Sequence, residues 1–217
     1  GDYSPSKETR RMHTLCGLYG ITDDTLLAGD HLLVAVADAL AGGCRIIQYR
    51  SKQADTGRQL DEARALLALC QRNDAILLVN DNVTLAHTIG AHGVHLGQED
   101  TPIAEARALL GPEAIIGITC HASLALAQAA EAAGADYVAF GRFFPSGTKP
   151  SAPPAPIATL AEARAILSIP VVAIGGVKLD NAPALLAAGA DMLAVVGDLF
   201  TAPDIATRAR AYKALFS

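Results

Sequence analysis

The sequence predicts an α/β fold, a single-domain (β/α)8 TIM barrel, and three observations carry that reading. Eight short apolar runs alternate with segments of helical period, the pattern of parallel strands joined by helical crossovers. One phrase returns four times, at Ala41-Gly42-Gly43-Cys44, Ile89-Gly90-Ala91-His92, Ala133-Gly134-Ala135-Asp136 and Ala188-Gly189-Ala190-Asp191, each after an Ala/Leu-rich stretch and before an apolar run. From Gly42 to Gly90, Gly134 and Gly189 the spacings are 48, 44 and 55 residues, room in each interval for one further strand and helix. A repeat of a quarter of the chain favours closure into a barrel over an open doubly wound sheet. Finally, no segment is left over for a second domain in a chain of 217 residues, a length that one barrel can use entirely.

The strands are read in order at Cys16–Ile21, Ile46–Tyr49, Ile76–Asn80, Gly93–Leu96, Ile115–Thr119, Tyr137–Phe140, Val171–Ile174 and Met192–Val196, each a short apolar run bounded by Gly or a polar residue. Helical period marks Thr56–Gln71, Pro102–Leu110, Ser123–Ala133, Thr159–Leu167, Asn181–Ala188 and, at the end, Asp204–Phe216. The first Gly of each repeated phrase is read as the left-handed residue that ends a helix, which makes the phrase a helix-to-strand joint. Phe144–Ile157, with five of the 11 prolines, is the one long irregular stretch. Residues 1–13 are polar, lack an apolar h-region and read as a flexible tail rather than a signal, leaving 14–217 as the barrel.

Composition narrows the function. Hydrophobic residues make up 51% of the chain and aromatics only 5%, with no Trp, so the core is built from Ala, Leu, Ile and Val. A net charge of −5 argues against nucleic-acid or anionic-membrane binding, which leaves a basic footprint. No apolar run approaches the ~18 residues of a membrane span. Cys16, Cys44, Cys70 and Cys120 are scattered with no metal-ligand spacing, and read as reduced thiols in a cytoplasmic protein. Small phosphorylated molecules remain as partners; the oligomeric state is not legible.

In a barrel, chemistry gathers at the C-terminal strand ends. After the second strand comes Gln48-Tyr49-Arg50-Ser51-Lys52; alternation puts Gln48 and Arg50 on one face, and Lys52 continues that parity. Such cations suit a phosphate or diphosphate, though the pentapeptide also reads as a solvated polar turn. Asn80-Asp81 ends the third strand and Gly97-Gln98-Glu99-Asp100 the fourth. Two carboxylates without a Cys/His set are hard donors suited to Mg²⁺, while Asp100 reads equally as a helix N-cap before Thr101-Pro102. His92 and His95 fall on opposite strand faces, so His95 reads as a satisfied core residue. Thr119 can hold a phosphate oxygen; the neighbouring Cys120 and His121 lack an orienting third group and argue against a covalent cysteine mechanism. Ser146-Gly147-Thr148-Lys149 between two prolines can cradle an anion, act as a lid or form an ordinary turn. Gly175-Gly176 and Val196-Gly197 sit where barrels place phosphate-binding backbone N–H groups.

Together the motifs LYGITDD, QYRSK, LLVNDN, GVHLGQED, IIGITCH, FGRFFPSGTKP, VVAIGGV and GADMLAVVG, in this order from about Leu15 onward, resemble the thiamine-phosphate synthase family. The resemblance implies a (β/α)8 barrel that transfers a hydroxymethylpyrimidine group from its diphosphate to the ring nitrogen of a thiazole phosphate, by Mg²⁺-assisted ionisation. It implies that Gln48, Arg50, Lys52, Asn80, Thr119 and Lys149 bind the pyrimidine diphosphate, with Tyr49 and Ser51 lining the same motif. Asp81 and Asp100 would hold Mg²⁺; Ser146, Gly147, Thr148, Gly176, Val196 and Gly197 would bind the thiazole phosphate. Gly197 stands where such proteins often carry Ser, and Ser51 where they carry an acidic residue. Three rivals rank below: a thiazole tautomerase with His121 as proton carrier, a non-catalytic precursor sensor, and a Schiff-base aldolase on Lys52 or Lys149.

Overall fold

The computed structural model describes residues 15–52, 55–145 and 153–216. Eight parallel strands close into a barrel in sequence order: β1 Gly17–Ile21, β2 Ile46–Tyr49, β3 Ile76–Asn80, β4 Gly93–Leu96, β5 Ile115–Thr119, β6 Tyr137–Phe140, β7 Val171–Ala173 and β8 Met192–Val195. Pairing of Gly17 with Met192 closes the ring. The strands agree with the sequence reading to within one residue at each end. Between and after them lie α1 His31–Ala41, α2 Thr56–Arg72, α3 Val83–Ile89, α4 Ile103–Leu110, α5 Leu124–Ala132, α6 Ala158–Ile166, α7 Ala182–Ala187, α8 Gly197–Phe200 and α9 Ile205–Ala214. The four-residue α8 is too short for a periodicity reading to find. Side-chain caps start several helices: Asp55 accepts from the Arg58 N–H, Asn82 from Leu85, Ser123 from Leu126 and Asp204 from Thr207, each satisfying a donor that has no partner within its helix.

Strict alternation divides the strands between two cores. Tyr19, Ile46, Ile76, Leu78, Ile115, Tyr137, Val172 and Met192 point inward; Ile47, Leu77, Val79, Val94, Ile116, Val138 and Leu193 point outward and pack under the helices. Burial on both faces is why these strands read as continuous apolar runs.

The repeated phrase closes the lower rim. Its fourth residue reaches back to the preceding odd strand each time: Asp136 Oδ2 accepts from the Ile116 N–H and Asp191 Oδ2 from the Val171 N–H, both at 2.8 Å. His92 Nδ1 accepts from the Leu77 N–H at 3.0 Å, and Cys44 Sγ contacts the Leu18 carbonyl. Arg107 and Arg164 pair with the two aspartates. The left-handed joint holds for Gly90, Gly134 and Gly189, but in the first phrase the positive φ belongs to Gly43 and not Gly42, whose φ is −79°. Gly42 has a separate reason to lack a side chain: a Cβ there would lie 2.3 Å from the Ala206 carbonyl oxygen of α9. Among the described residues no helix is long and apolar enough to cross a membrane.

Candidate active site

The inward parity of Gln48, Arg50, Asn80, Thr119 and Val196 brings the upper ends of four strands to one mouth. Gln48 is buried and its Nε2 donates to the Tyr19 hydroxyl at 2.8 Å. Arg50 is exposed, with its backbone N–H donating to Thr22 Oγ1. Tyr49 is separated from this set: it faces the outer core, where its hydroxyl donates to Glu62 Oε1 at 2.6 Å, and burial together with that carboxylate pushes its pKa up. Alternation that collects Gln48 and Arg50 necessarily turns the residue between them away.

Lys52 Nζ donates to Asp81 Oδ2 at 2.7 Å across the ends of β2 and β3. The Asp81 backbone is left-handed, φ 49°, so the chain leaves β3 sharply just where the carboxylate meets the lysine. Asp24 fixes the lysine's own loop, accepting from the Lys52 N–H at 2.7 Å and from the Ser51 hydroxyl at 3.4 Å. Thr22 and Asp24 lie in the LYGITDD motif, which by itself gives them no individual role; their signal is the run Thr22-Asp23-Asp24 directly after an apolar strand.

Asp100 is not the N-cap of α4. That position is Pro102, and Asp100 Oδ2 instead accepts from the Gly97 N–H at 2.7 Å, a tight turn that holds the carboxylate at the mouth. Among the described residues no three His, Cys, Asp or Glu side chains gather as a metal cage. Asp81 and Asp100, each engaged here through Oδ2, fit a different demand. Mg²⁺ keeps waters and binds through one or two carboxylates plus substrate phosphates.

Thr119 Oγ1 lies 2.7 Å from His95 Nε2, and its carbonyl accepts from Gln98 Nε2. His95 is the satisfied core residue expected, and burial lowers its pKa from 6.5 to about 4. Cys120 faces the outer core, and burial pushes its thiol up to about 12, so a thiolate nucleophile is suppressed. His121 is exposed with φ 54°. Lys52 is half exposed and paired with Asp81, unlike the desolvated lysine a Schiff base requires.

Gly176, at φ 66°, admits no Cβ because Phe144's carbonyl oxygen would be 2.7 Å away; the loop after β6 lies across the end of β7, with the Phe144 N–H donating to the Gly175 carbonyl at 3.1 Å. Val196 is the N-cap of α8 and Gly197 its first residue, with nothing within 4 Å of an added Cβ. Asp198 braces this end, accepting from Arg208, Tyr212 and the Leu179 N–H. Ser146, Gly147, Thr148 and Lys149 lie outside the described residues.

Residues 18–199 match a family model described as thiamine monophosphate synthase. The chain is 56% identical over 202 residues to a thiamine-phosphate synthase of Thioalkalivibrio sulfidiphilus, covering 93% of this chain and 96% of that protein. It is 54% identical over 203 residues to one of Marinobacter nauticus, covering 93% and 91%. Among solved structures it is similar to a thiamine phosphate pyrophosphorylase from Pyrococcus furiosus, with TM-score 0.84, 34% identity and coverage of 95% and 97%.

Proposed function

The chain belongs to the thiamine monophosphate synthase family, and from that membership we propose how its barrel mouth carries out the reaction. The activity is thiamine-phosphate synthesis: transfer of a hydroxymethylpyrimidine group from its diphosphate to the ring nitrogen of a thiazole phosphate, with release of diphosphate.

In our reading Gln48 meets the pyrimidine, and Arg50, Lys52, Asn80, Thr119 and Lys149 take the diphosphate. Ser146, Thr148, Gly176, Val196 and Gly197 hold the thiazole phosphate. The observation that carries the assignment is the Lys52–Asp81 contact at 2.7 Å, which puts a cation for the leaving group and a carboxylate for a metal side by side. Asp81 and Asp100 would hold Mg²⁺, whose chemistry at such a site is to neutralise charge on diphosphate oxygens. The pyrimidine C–O bond breaks with its electron pair leaving on the diphosphate, and the thiazole nitrogen lone pair forms the new C–N bond. Arg50 and Lys52 stabilise the departing charge, and Thr119 donates a hydrogen bond to it. No protein nucleophile is required, in keeping with the buried, outward Cys120 thiol; holding two substrates in line supplies much of the acceleration. A cytoplasmic setting accords with cysteines that form no disulfide among the described residues.

The test follows thiamine phosphate and diphosphate from both precursors across a Mg²⁺ titration, in wild type and in Asp81→Ala/Asp100→Ala protein. Mg²⁺-dependent product that vanishes in the double variant is expected. Undiminished activity in the double variant refutes the metal assignment; binding of either precursor without product in wild type refutes the mechanism.

A further inference from the structure

Five polar side chains cross the otherwise apolar barrel interior as one unbroken hydrogen-bonded chain. Gln48 Nε2 donates to the Tyr19 hydroxyl at 2.8 Å, and the Tyr19 and Tyr137 hydroxyls are 2.7 Å apart. The Tyr137 hydroxyl lies 2.7 Å from His95 Nδ1, and His95 Nε2 lies 2.7 Å from Thr119 Oγ1. The Tyr137 ring is stacked on the His95 ring and meets the Tyr19 ring edge-on. Both ends of the chain, Gln48 and Thr119, belong to the pyrimidine diphosphate site as read above. The three residues between them are buried, with relative exposures of 1% for Tyr19, 0% for Tyr137 and 8% for His95.

The direction of the protons follows from the first bond. Gln48 gives an N–H, so the Tyr19 oxygen accepts, and its own hydrogen must go to Tyr137, because a buried hydroxyl left unbonded is costly. Tyr137 then gives its hydrogen to His95 Nδ1. The neutral imidazole therefore carries its proton on Nε2, which donates to Thr119 Oγ1. With its oxygen accepting from below, the Thr119 hydroxyl hydrogen is turned toward the mouth, where a diphosphate oxygen is an acceptor. The Gln48 carbonyl at the other end is likewise the half of that amide not committed to Tyr19. Burial supports the order by keeping both phenols protonated: it pushes the Tyr19 pKa up to about 12 and that of Tyr137 well above its ordinary value.

We propose that Tyr19, Tyr137 and His95 are positioning residues that fix the donor direction of Thr119 and the amide orientation of Gln48, coupling pyrimidine recognition at β2 to diphosphate recognition at β5 through the barrel interior. The proposal rests on Gln48 and Thr119 touching the pyrimidine diphosphate. Without the relay, the Thr119 hydroxyl is free to turn inward and the Gln48 amide to flip.

The experiment is a Gln48→Ala by Thr119→Val double-mutant cycle on kcat/KM for the pyrimidine diphosphate, run in the wild-type chain and again in Tyr137→Phe, which keeps the ring and removes the hydroxyl. In the wild-type background the two losses should fall short of multiplying by about three- to tenfold, the usual coupling within one hydrogen-bond network; in Tyr137→Phe they should multiply. Tyr137→Phe alone should lower kcat/KM for the pyrimidine diphosphate by about tenfold, the worth of one hydrogen bond, with KM for the thiazole phosphate unchanged. A purely structural role moves both substrates together. Equal coupling in both backgrounds overturns the relay while leaving the site intact. Single variants at Gln48 and Thr119 with full kcat/KM overturn the underlying site reading, and are told apart by that result. A second measurement needs no variant: ¹⁵N NMR of the imidazole in the full chain should show His95 neutral with the proton on Nε2, and a proton on Nδ1 instead overturns the proposal.

Discussion

Replacing Gly117 with alanine puts one methyl group against the centre of the buried relay. An ideal Cβ at 117 falls 1.9 Å from Tyr137 Cζ and 2.3 and 2.4 Å from its two Cε atoms, whereas carbon atoms in contact stay about 3.5–4.0 Å apart. Gly117 and Tyr137 are register partners on β5 and β6, so the ring must move by roughly 1.5 Å to clear the methyl. Its hydroxyl is held at 2.7 Å on two sides, by Tyr19 and His95, and neither bond spans such a shift. Overpacking costs about 1–3 kcal/mol and two lost buried hydrogen bonds about 1 kcal/mol each, so the loss should be about 3–5 kcal/mol. Urea unfolding at constant m-value reads it directly. Gly197→Ala is the matched control, because its Cβ meets nothing within 4 Å and should change stability by no more than about 0.5 kcal/mol. A Gly117→Ala loss below about 1 kcal/mol refutes the reasoning, since the ring would then have room to yield without giving up its hydroxyl partners.

Lys52→Met should cut kcat/KM for the pyrimidine diphosphate by more than about tenfold yet change unfolding free energy by less than about 1 kcal/mol, because the Lys52–Asp81 pair is half exposed and screened; equal losses in both assays would make it a structural pair. Gly197→Ser fits the open space at the start of α8 and should lower KM for the thiazole phosphate with kcat retained; a raised KM in steady-state assays would place that phosphate elsewhere. His95 is neutral in the folded protein down to about pH 4 but titrates at its ordinary 6.5 when unfolded. Its contribution is therefore complete above pH 6.5 and lost as pH falls through 4, by about 3 kcal/mol in all. The difference in urea-unfolding pH dependence between wild type and His95→Gln measures it, and parallel curves would contradict the assignment.

How far the residues alone could be read depended on whether the deciding interaction was local. Strand ends such as Tyr49, Asn80 and Leu96 are marked by the switch from apolar to polar or Gly residues, and alternation then aligns Gln48 with Arg50. The same rule cannot place Asp81, whose left-handed φ breaks the parity of β3, nor identify which of Gly42 and Gly43 takes the positive φ. Nor is it visible locally that Gly42 must lack a side chain, a demand set by α9, where Ala206 crowds it from more than 160 residues further on. Asp100 beside Thr101-Pro102 has the local appearance of a cap, but the Gly97 N–H captures its carboxylate. Tyr19 and Tyr137 carried no signal, since each is one aromatic in an apolar run and their meeting 118 residues apart is a property of barrel closure.

A polar chain inside an apolar barrel asks for a reason other than stability. Replacing a satisfied buried polar network by well-packed apolar side chains is often neutral or stabilising, and leaving one member unsatisfied is penalised. Cys44 and His92 on the lower rim show that a lone polar side chain can be engaged by strand backbone atoms, with no side-chain network. The interior chain instead joins β1, β2, β4, β5 and β6 and terminates at both ends in residues that face the mouth. Its cost in packing freedom is met by what it fixes: the direction of a hydroxyl hydrogen and of an amide, neither of which an apolar interior could hold in one orientation. Under the proposed relay, the donor at β5 and the amide at β2 are each held in one orientation toward the pyrimidine diphosphate.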